Sequence, residues 1–439
     1  MININLIINS EFRIPNSEFS EGVTMQGWMI ALIAIAALVA LVAVAFLVGM
    51  LIFVHAILGT RKELSEKEKQ KRGYSAERYG VDPAWFGFVA PTTSQATITA
   101  YDGVKLGARI IRQSEPSNRV AICCHGYGAS LSSTQAQAKM FYDRGFDVYM
   151  LAMRGHKGSG GKVGMAWIDR FDLARWIDRV IEDYGESVQI ALFGVSMGGS
   201  TVISYAGMEP KPQVKCVIDD CGFSSQYDEY MACLKAAGLP RCAIHMFSPG
   251  VKLVHGYSIY DADITKLAAN MTLPALFFHG TADSFVPFEL GQKLFDACAS
   301  QEKSFIAVED AGHALAYMTD KEKYTAAVTE FIDKHIEGSA LVHDPSEYEE
   351  YLAAKKQAEQ EARQQAEQEE SAQEAVEENA EEPKENAESA PEETPSEPKA
   401  EEAPTDTVAS EEKPAEEPAP ETATAAPSEN AAPADALDD

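Results

Sequence analysis

An uncharged apolar run near the N-terminus constrains most strongly what this chain can fold into. No Asp, Glu, Lys or Arg occurs between Glu21 and Arg61, and residues 28–58 are almost wholly apolar. About 20 such residues cross a bilayer. A secretory signal peptide would need a basic start and an apolar core of only about 7–15 residues, whereas Arg13 alone precedes this run. We therefore expect a transmembrane helix over 28–58, after an N-terminal segment (1–27) in which Met25 is an alternative start.

The residues after this run set the expected orientation and compartment. Arg13 is the one basic residue before it, and seven follow it: Arg61, Lys62, Lys67, Lys69, Lys71, Arg72 and Arg78. Cytoplasmic flanks of membrane helices carry the excess of Lys and Arg, which predicts a single-pass cell-membrane protein with a basic linker (59–84) and its bulk in the cytoplasm.

The spacings of Cys221, Cys233 and Cys242 do not match the usual zinc sites. We interpret them as reduced thiols, with a disulfide among them as the alternative.

The C-terminal part differs in composition from the rest. Residues 344–439 hold 31 acidic and 6 basic residues of a chain whose net charge is −30. The sequence shows no basic patch that could bind nucleic acid phosphates, which argues against nucleic-acid binding. Residues 339–382 are rich in Ala, Gln and Glu, which predicts a solvated helix. Because they keep no sustained heptad, a coiled coil is only the second interpretation. Residues 383–439 carry ten prolines, so we expect a disordered acidic tail, either a spacer or a docking tail for a protein partner.

Residues 85–338 have the alternating pattern of an α/β domain. Short apolar or β-branched runs predict eight strands, at 96–100, 106–112, 120–124, 147–152, 189–193, 215–218, 275–278 and 304–308. Helical patterns lie among the later runs, at 134–144, 167–184, 198–206, 289–299 and 321–336. Two leading strands followed by strand–helix alternation predict a mostly parallel eight-stranded sheet with helices on both faces. The interruption at about 224–272 is too long for a plain connection, so we expect a lid over the C-terminal strand ends.

One motif carries the expected chemistry. The apolar run 190–193 leads into Gly194-Val195-Ser196-Met197-Gly198, after which a helix is predicted. A sharp strand-to-helix turn of this kind leaves room only for small residues two positions either side of its serine. The turn presents the Ser196 hydroxyl above the sheet edge and directs a helix N-terminus at it, which favours developing negative charge. The sequence therefore predicts Ser196 as a nucleophile.

A serine nucleophile needs a base, and the base needs an acid that orients it. His313 follows the last predicted strand in a loop of small residues, and Asp283 follows the strand before it. Ser196, Asp283, His313 is the chain order that this triad takes in such sheets. Asp219 and Asp220 follow the strand at 215–218 and remain rivals for the acid. Of the other histidines, His125, His156 and His279 adjoin turn glycines and are interpreted as loop-shaping, and the rest fall in the lid, the apolar run or the C-terminal segments. They show no clustering of the kind that a metal site needs.

An anionic intermediate also needs hydrogen-bond donors. The predicted strand 120–124 ends in His125-Gly126-Tyr127-Gly128, a loop whose backbone N–H groups can face the serine turn. We expect the N–H groups of Tyr127 and Met197 to form an oxyanion hole. For the loop taken alone, a plain turn is the alternative.

Taken together, these motifs resemble the α/β-hydrolase superfamily over about residues 95–337. The resemblance rests on the Ser196 turn and on five further motifs: His125-Gly126-Tyr127, Arg154-Gly155-His156, residues 220–225, His279-Gly280 with Asp283, and Gly312-His313. Within the superfamily, the chain is similar to membrane-anchored bacterial serine hydrolases of the serine aminopeptidase-like and Bem-type group. Lys157 stands where related sequences usually have glycine, in a loop that holds no predicted catalytic residue. The resemblance implies a serine-triad hydrolase with no metal and no organic cofactor.

The predicted reaction is acyl transfer to water. Ser196 attacks an ester, thioester or amide carbonyl, His313 moves the proton, and Asp283 holds the imidazolium. By analogy with this architecture a carboxylic ester is favoured, because it needs the least leaving-group assistance. The expected substrate is thus a small-molecule ester, with lipid or peptide substrates as alternatives for a lipase or peptidase. From a different class, an inactive scaffold would act through its anchor and tail.

Overall fold

An eight-stranded sheet forms the centre of the computed structural model, which describes residues 20–61 and 77–380. Its strands are β1 (Thr93–Thr99), β2 (Lys105–Ile111), β3 (Arg119–Cys124), β4 (Asp147–Leu151), β5 (Gln189–Val195), β6 (Val214–Asp220), β7 (Ala275–Gly280) and β8 (Lys303–Val308). They are ordered β1-β2-β4-β3-β5-β6-β7-β8 across the sheet. β2 is antiparallel to both β1 and β4, and all later pairings are parallel. The predicted mostly parallel sheet of eight strands is confirmed.

Helices precede the sheet, connect its strands and follow it. They are α1 (Ser20–Leu58), α2 (Pro83–Phe88), α3 (Gln135–Asp143), α4 (Asp169–Tyr184), α5 (Met197–Ala206), α6 (Gln226–Ala236), α7 (Ile244–His255), α8 (Ile264–Ala268), α9 (Phe288–Ala297), α10 (Ala316–Thr319), α11 (Lys321–His335) and α12 (Pro345–Ala380). Short 3₁₀ turns lie at Glu77–Tyr79, Ala90–Thr92, Leu131–Thr134 and Arg241–Ala243. The segment for which a lid is expected contains α6, α7 and α8.

Apolar layers cover both faces of the sheet. Ala121 and Cys123 of β3 face the layer that holds α2, α3 and α11, whereas Val120, Ile122 and Cys124 face the layer that holds α4 and α5. A parallel strand that is covered on both faces has a continuous apolar sequence, which is why β3 and β5 can be predicted from the sequence. All seven cysteines are free thiols, so the alternative of a disulfide is not realised.

The parallel arrangement fixes where functional side chains gather. The carboxyl ends of β3, β5, β6, β7 and β8 lie at one edge of the sheet. Gly126, Ser196, Cys221, Asp283 and His313 follow those five ends in turn. Ligands of open α/β sheets bind at this edge. The candidate site therefore lies at this edge of the sheet.

The charges in the first turn of α4 are buried, although the helical pattern at 167–184 places them opposite an apolar stripe. Asp169, Arg170 and Asp172 are each less than one-tenth exposed. Arg154 donates to both carboxylate oxygens of Asp172, at 2.7 and 2.6 Å, and also to Asp102 at 2.6 Å. Buried charges persist when they are paired in this way. The loop after β4 thereby becomes fixed to α4, a pairing that a helical pattern does not reveal.

The apolar helix α1 has two parts that differ in their surroundings. Its large side chains between Trp28 and Val48 are exposed, whereas Val54 and Leu58 are buried against the domain. By length and composition, Gly27–Leu58 could cross a membrane. Residues 1–19 of the predicted N-terminal segment and residues 62–76 of the predicted linker lie outside the described residues.

The beginning of α12 contacts the domain, although a solvated helix is predicted there. The Phe88 ring meets Tyr348 and Tyr351 edge to face, with centroid distances of 5.5 and 5.4 Å, and the Tyr348 hydroxyl donates to Asp82. Two tyrosines thus attach the beginning of α12 to the domain. Within the described residues no second helix packs along α12, so nothing supports a coiled coil. The predicted disordered tail (383–439) lies outside the described residues.

Candidate active site

Ser196 occupies a strained turn between β5 and α5. Its backbone has φ 55° and ψ −117°, in the left-handed half of conformational space. This conformation costs free energy and persists only where the surroundings enforce it. The Ser196 N–H donates to the Asp220 carbonyl at 2.7 Å. A side chain on Gly194 would collide with the Gly198 carbonyl, and one on Gly198 with the Cys124 carbonyl. The glycines around the serine are therefore required by close backbone contacts.

His313 links Ser196 to Asp283. The His313 Nε2 atom lies 2.9 Å from Ser196 Oγ, and its Nδ1 atom lies 2.7 Å from Asp283 Oδ2. The other Asp283 oxygen accepts from the N–H groups of Phe285 and Val286, each at 2.9 Å. A carboxylate at Nδ1 favours the tautomer that carries its proton there, which leaves Nε2 free to accept from the serine. The structure thus brings together the three side chains predicted from the sequence.

Asp220, the rival acid, has another partner. Its Oδ2 atom accepts from the Tyr324 hydroxyl at 2.8 Å, while its main chain supports the Ser196 turn. Burial raises the pKa of Asp220 to about 6, and the Tyr324 hydrogen bond opposes that rise. Asp219 accepts from the Gly222 N–H at 3.0 Å, and burial raises its pKa well above the usual range. Neither carboxyl group is bonded to His313.

Two backbone N–H groups are available beside the serine. Met197 is the first residue of α5 and is fully buried, and a side chain on Gly126 would lie 3.8 Å from Ser196 Oγ. Among the described residues, neither the Met197 N–H nor the Tyr127 N–H donates to an acceptor. Unpaired donors at a helix N-terminus and an adjacent loop suit an oxyanion.

The Tyr127 side chain makes contacts that the sequence does not foresee. Its hydroxyl donates to the Ile57 carbonyl near the end of α1 at 2.7 Å. The Arg61 guanidinium lies over its ring, 4.5 Å from the centroid. The loop of the candidate oxyanion hole is therefore attached to the last turn of the apolar helix. No local signal predicts this contact, because the residues are 70 positions apart.

Three histidines shape the loops around the site, as the sequence predicts. His125 Nε2 accepts from the Met153 N–H at 3.1 Å and His156 Nε2 accepts from the Gly128 N–H at 2.9 Å, so each carries its proton on Nδ1. Burial lowers the pKa of His125 to about 3. His279 contacts the Val286 carbonyl through Nε2 at 2.9 Å. Neutral histidines here fix the loop backbones.

Glu229 of α6 is a residue that sequence reasoning missed. It is only 2% exposed, and one oxygen of its carboxyl has no partner among the described residues. Burial raises its pKa to about 7, whereas the nearby His313 lowers it and Asp283 raises it. A glutamate in an amphipathic segment gives no hint of such burial. Helix α6 thus brings a protonatable group within electrostatic reach of the candidate triad.

Metal binding can be considered at one group of side chains within the described residues. The ligand atoms of Cys221, Asp283 and His313 lie within 4.8 Å of one another. Asp283 and His313 are already hydrogen-bonded to each other, and burial holds the pKa of Cys221 well above the usual range. A metal ion needs a thiolate and a free imidazole nitrogen. The donor set therefore suits proton transfer better than coordination.

Part of the chain matches a described protein family, and the chain is similar to known proteins over a larger part of its length. Residues 115–234 match the family described as "Serine aminopeptidase, S33". The chain is 26% identical over 292 residues to the uncharacterised protein YqkD of Bacillus subtilis, covering 64% of this chain and 92% of that one. It is 22% identical over 291 residues to the monoacylglycerol lipase of Mycolicibacterium smegmatis, covering 56% of this chain and 100% of that one. An esterase structure from Pyrococcus furiosus has a TM-score of 0.48 and 18% identity, covering 64% of this chain and 98% of that one.

The sheet, with its serine turn at the end of β5, has the α/β-hydrolase fold. Together with the match over residues 115–234, this fold supports the α/β-hydrolase superfamily. The matches and the fold support a hydrolase.

Replacing Glu229 with glutamine should change the pH dependence of stability. The Glu229 pKa is about 7 in the folded protein against an ordinary 4.5, so its protonation stabilises the fold at low pH, and that contribution is lost as the pH rises through 7. Glu229→Gln should therefore gain about 2 kcal/mol in unfolding free energy relative to wild type between pH 5 and pH 8. Guanidinium unfolding of the full chain in detergent measures this. The exposed control Glu309→Gln should show no such gain, and equal behaviour of both variants would contradict the assignment.

Proposed function

We propose that this chain is a membrane-anchored serine hydrolase that cleaves a carboxylic ester through an acyl-enzyme on Ser196. The observation that carries the proposal is the continuous relay from Ser196 Oγ through His313 to Asp283, with distances of 2.9 and 2.7 Å. A serine hydroxyl is a weak nucleophile until a base removes its proton. This relay supplies the base and the acid that orients it.

The proposed reaction has two halves that use the same groups. In the first, His313 Nε2 takes the Ser196 proton while Oγ attacks the ester carbonyl, and the imidazolium then protonates the departing alcohol. In the second, His313 deprotonates a water molecule that attacks the acyl-enzyme, and the proton returns to Ser196 as the acid leaves. Asp283 stays ionised throughout and stabilises the imidazolium, because the Phe285 and Val286 N–H groups support its other oxygen.

The tetrahedral intermediates carry an oxyanion for which we propose the N–H groups of Met197 and Tyr127. Each donor of this kind lowers the barrier by about 3–4 kcal/mol. Two facts support the assignment: both groups lack acceptors among the described residues, and the Met197 N–H opens α5, where the helix dipole favours negative charge.

A carboxylic ester is the proposed bond. Esters need less leaving-group assistance than amides, and one similar protein is named a monoacylglycerol lipase. A peptidase with the same triad is the alternative, in line with the name of the matched family. An inactive scaffold is less well supported, because a scaffold has no need of an assembled relay beside unpaired donors.

We propose that α1 anchors the protein with its hydrolase domain in the cytoplasm. The proposal rests on the length of the exposed apolar part of α1 and on the basic residues that follow it. Protease added to intact cells should leave the domain whole and cut it only after lysis, as followed by an antibody to the domain. Digestion without lysis would place the domain on the outside.

A fluorophosphonate probe should label the protein at Ser196 and abolish ester hydrolysis in parallel. Ser196→Ala should lose labelling and lower turnover by a factor on the order of 10⁶, as when triad serines are replaced. The matched control is Ser200→Ala, because the Ser200 hydroxyl bonds to Phe223 and not to His313. Gel-based labelling and kinetics with a chromogenic ester measure both. Folded wild-type protein that takes up no probe would exclude the serine mechanism.

Asp283→Asn and Asp220→Asn should differ greatly in turnover. Asp283→Asn should reduce kcat by a factor on the order of 10⁴, because asparagine stabilises the wrong tautomer of His313. Asp220→Asn keeps an acceptor for the Tyr324 hydroxyl and should reduce kcat far less. Steady-state kinetics on the same ester compare the two variants. The reverse ranking would make Asp220 the triad acid.

A further inference from the structure

The packing of α1 against the lid bears on what substrate the site receives. The Phe53 ring of α1 meets the Phe247 ring of α7 edge to face at 5.5 Å. Gly250 of α7 lies so close to α1 that a side chain on it would approach Val54 to 2.7 Å and Met50 to 3.0 Å. Both contacts lie at residues 50–54 of α1, directly after the part whose large apolar side chains are exposed.

The length of α1 determines where a bilayer would end. Residues 28–49 are apolar and exposed, and 22 helical residues span about 33 Å. The hydrocarbon core of a bilayer is about 30 Å thick. Residues 50–58 are thus not needed to cross it, and they include Val54 and Leu58, which are buried against the domain. No spacer therefore separates the bilayer from the domain, so the side of the lid that contacts α1 lies at the membrane surface.

The composition of the lid suits such a surface. No acidic residue occurs between Glu229 and Asp261, although the chain has 67 of them, whereas Lys235, Arg241 and Lys252 lie in this stretch. All three basic side chains are exposed, and none forms an ion pair within the described part of the chain. Leu253, next to Lys252 and one turn after Gly250, is 65% exposed. An exposed apolar side chain beside a free cation is typical of helices that lie on anionic lipid.

The same elements lead from the anchor to the candidate triad. Phe247 of α7 also meets Tyr230 of α6 at 4.8 Å, and the neighbouring Glu229 lies near enough to His313 for that residue to shift its pKa. On the other side, the hydroxyl of Tyr127 is bonded to the end of α1. The site is thus flanked by two structures that both contact α1.

We propose that the lid rests on the bilayer beside the anchor and that the substrate is an acyl ester of a membrane lipid. The ester passes from the bilayer to Ser196 alongside α7, so its acyl chain need not cross water. This inference rests on the proposed function, since it names the substrate of that same site. The exposed side of α7 thus contacts the lipid surface of the bilayer.

Membrane contact of the lid can be tested without any activity. Full-length Leu253→Trp protein is reconstituted in vesicles of phosphatidylcholine with brominated chains, and its fluorescence is compared with that of wild type. The added tryptophan should be quenched. Leu341→Trp is the matched control, because Leu341 is 58% exposed and lies just before Val342, which packs on Gly145 ahead of β4. The control should show no added quenching, and an added tryptophan in the lid that stays unquenched would overturn the proposal.

Substrate class is tested by pairing two esters on the same reconstituted protein. Leu253→Asp should lower hydrolysis of a long-chain fluorogenic ester held in the vesicles about tenfold, equivalent to about 1.4 kcal/mol, and leave a soluble short-chain ester within about twofold. Leu341→Asp should affect hydrolysis of neither ester.

Lys252→Glu should slow hydrolysis of the vesicle-borne ester only when phosphatidylglycerol is present. The control Lys323→Glu should not show this effect. Equal loss on both esters, or no loss on either, would refute a lipid-fed site. If wild type hydrolyses no ester and takes up no fluorophosphonate, the proposed function fails, while the quenching result still decides membrane contact.

Discussion

The sharp turn at Ser196 is the constraint on which the rest of the site depends. A serine at φ 55° persists only because its neighbours hold it there. The Asp220 carbonyl at the end of β6 accepts its N–H, and the end of β3 leaves no room beside Gly198 for a side chain. Because β5 lies between β3 and β6, the same neighbours that enforce the turn also carry the loops around it. The fold and the candidate chemistry therefore share one set of close backbone contacts.

Much of this arrangement can be predicted from the sequence, for a physical reason. Parallel strands covered on both faces appear as continuous apolar runs, so the predicted strands agree with the observed ones to within a few residues. The carboxyl ends of such strands meet at one edge, which predicts Ser196, His313 and Asp283 as neighbours. The choice between Asp283 and Asp220 cannot be made from the sequence, since both follow neighbouring strands. The geometry differs because Tyr324, 104 residues away, occupies the carboxyl of Asp220.

Pairings without a local pattern could not be predicted. The charges of α4 suggest a solvated face, yet Asp172 is buried against Arg154. Glu229 is buried in α6, and the amphipathic pattern of that segment gives no sign of this burial. Tyr348 and Tyr351 stand in an acidic helix, and only the position of Phe88 shows what they contact. Each case joins residues far apart in the chain, where neither periodicity nor spacing carries information.

The two roles of Tyr127 have a practical consequence for handling this protein. Its N–H is offered to the site, while its hydroxyl is bonded to the Ile57 carbonyl. A fragment cut behind α1 for easier purification would lose that acceptor and would also uncover the surface of α7 that Phe53 and Val54 occupy. The loop beside Ser196 would then be released at one end. Turnover measured on such a fragment would describe a loosened enzyme, and the hydrophobic helix should be treated as a structural part of the hydrolase domain.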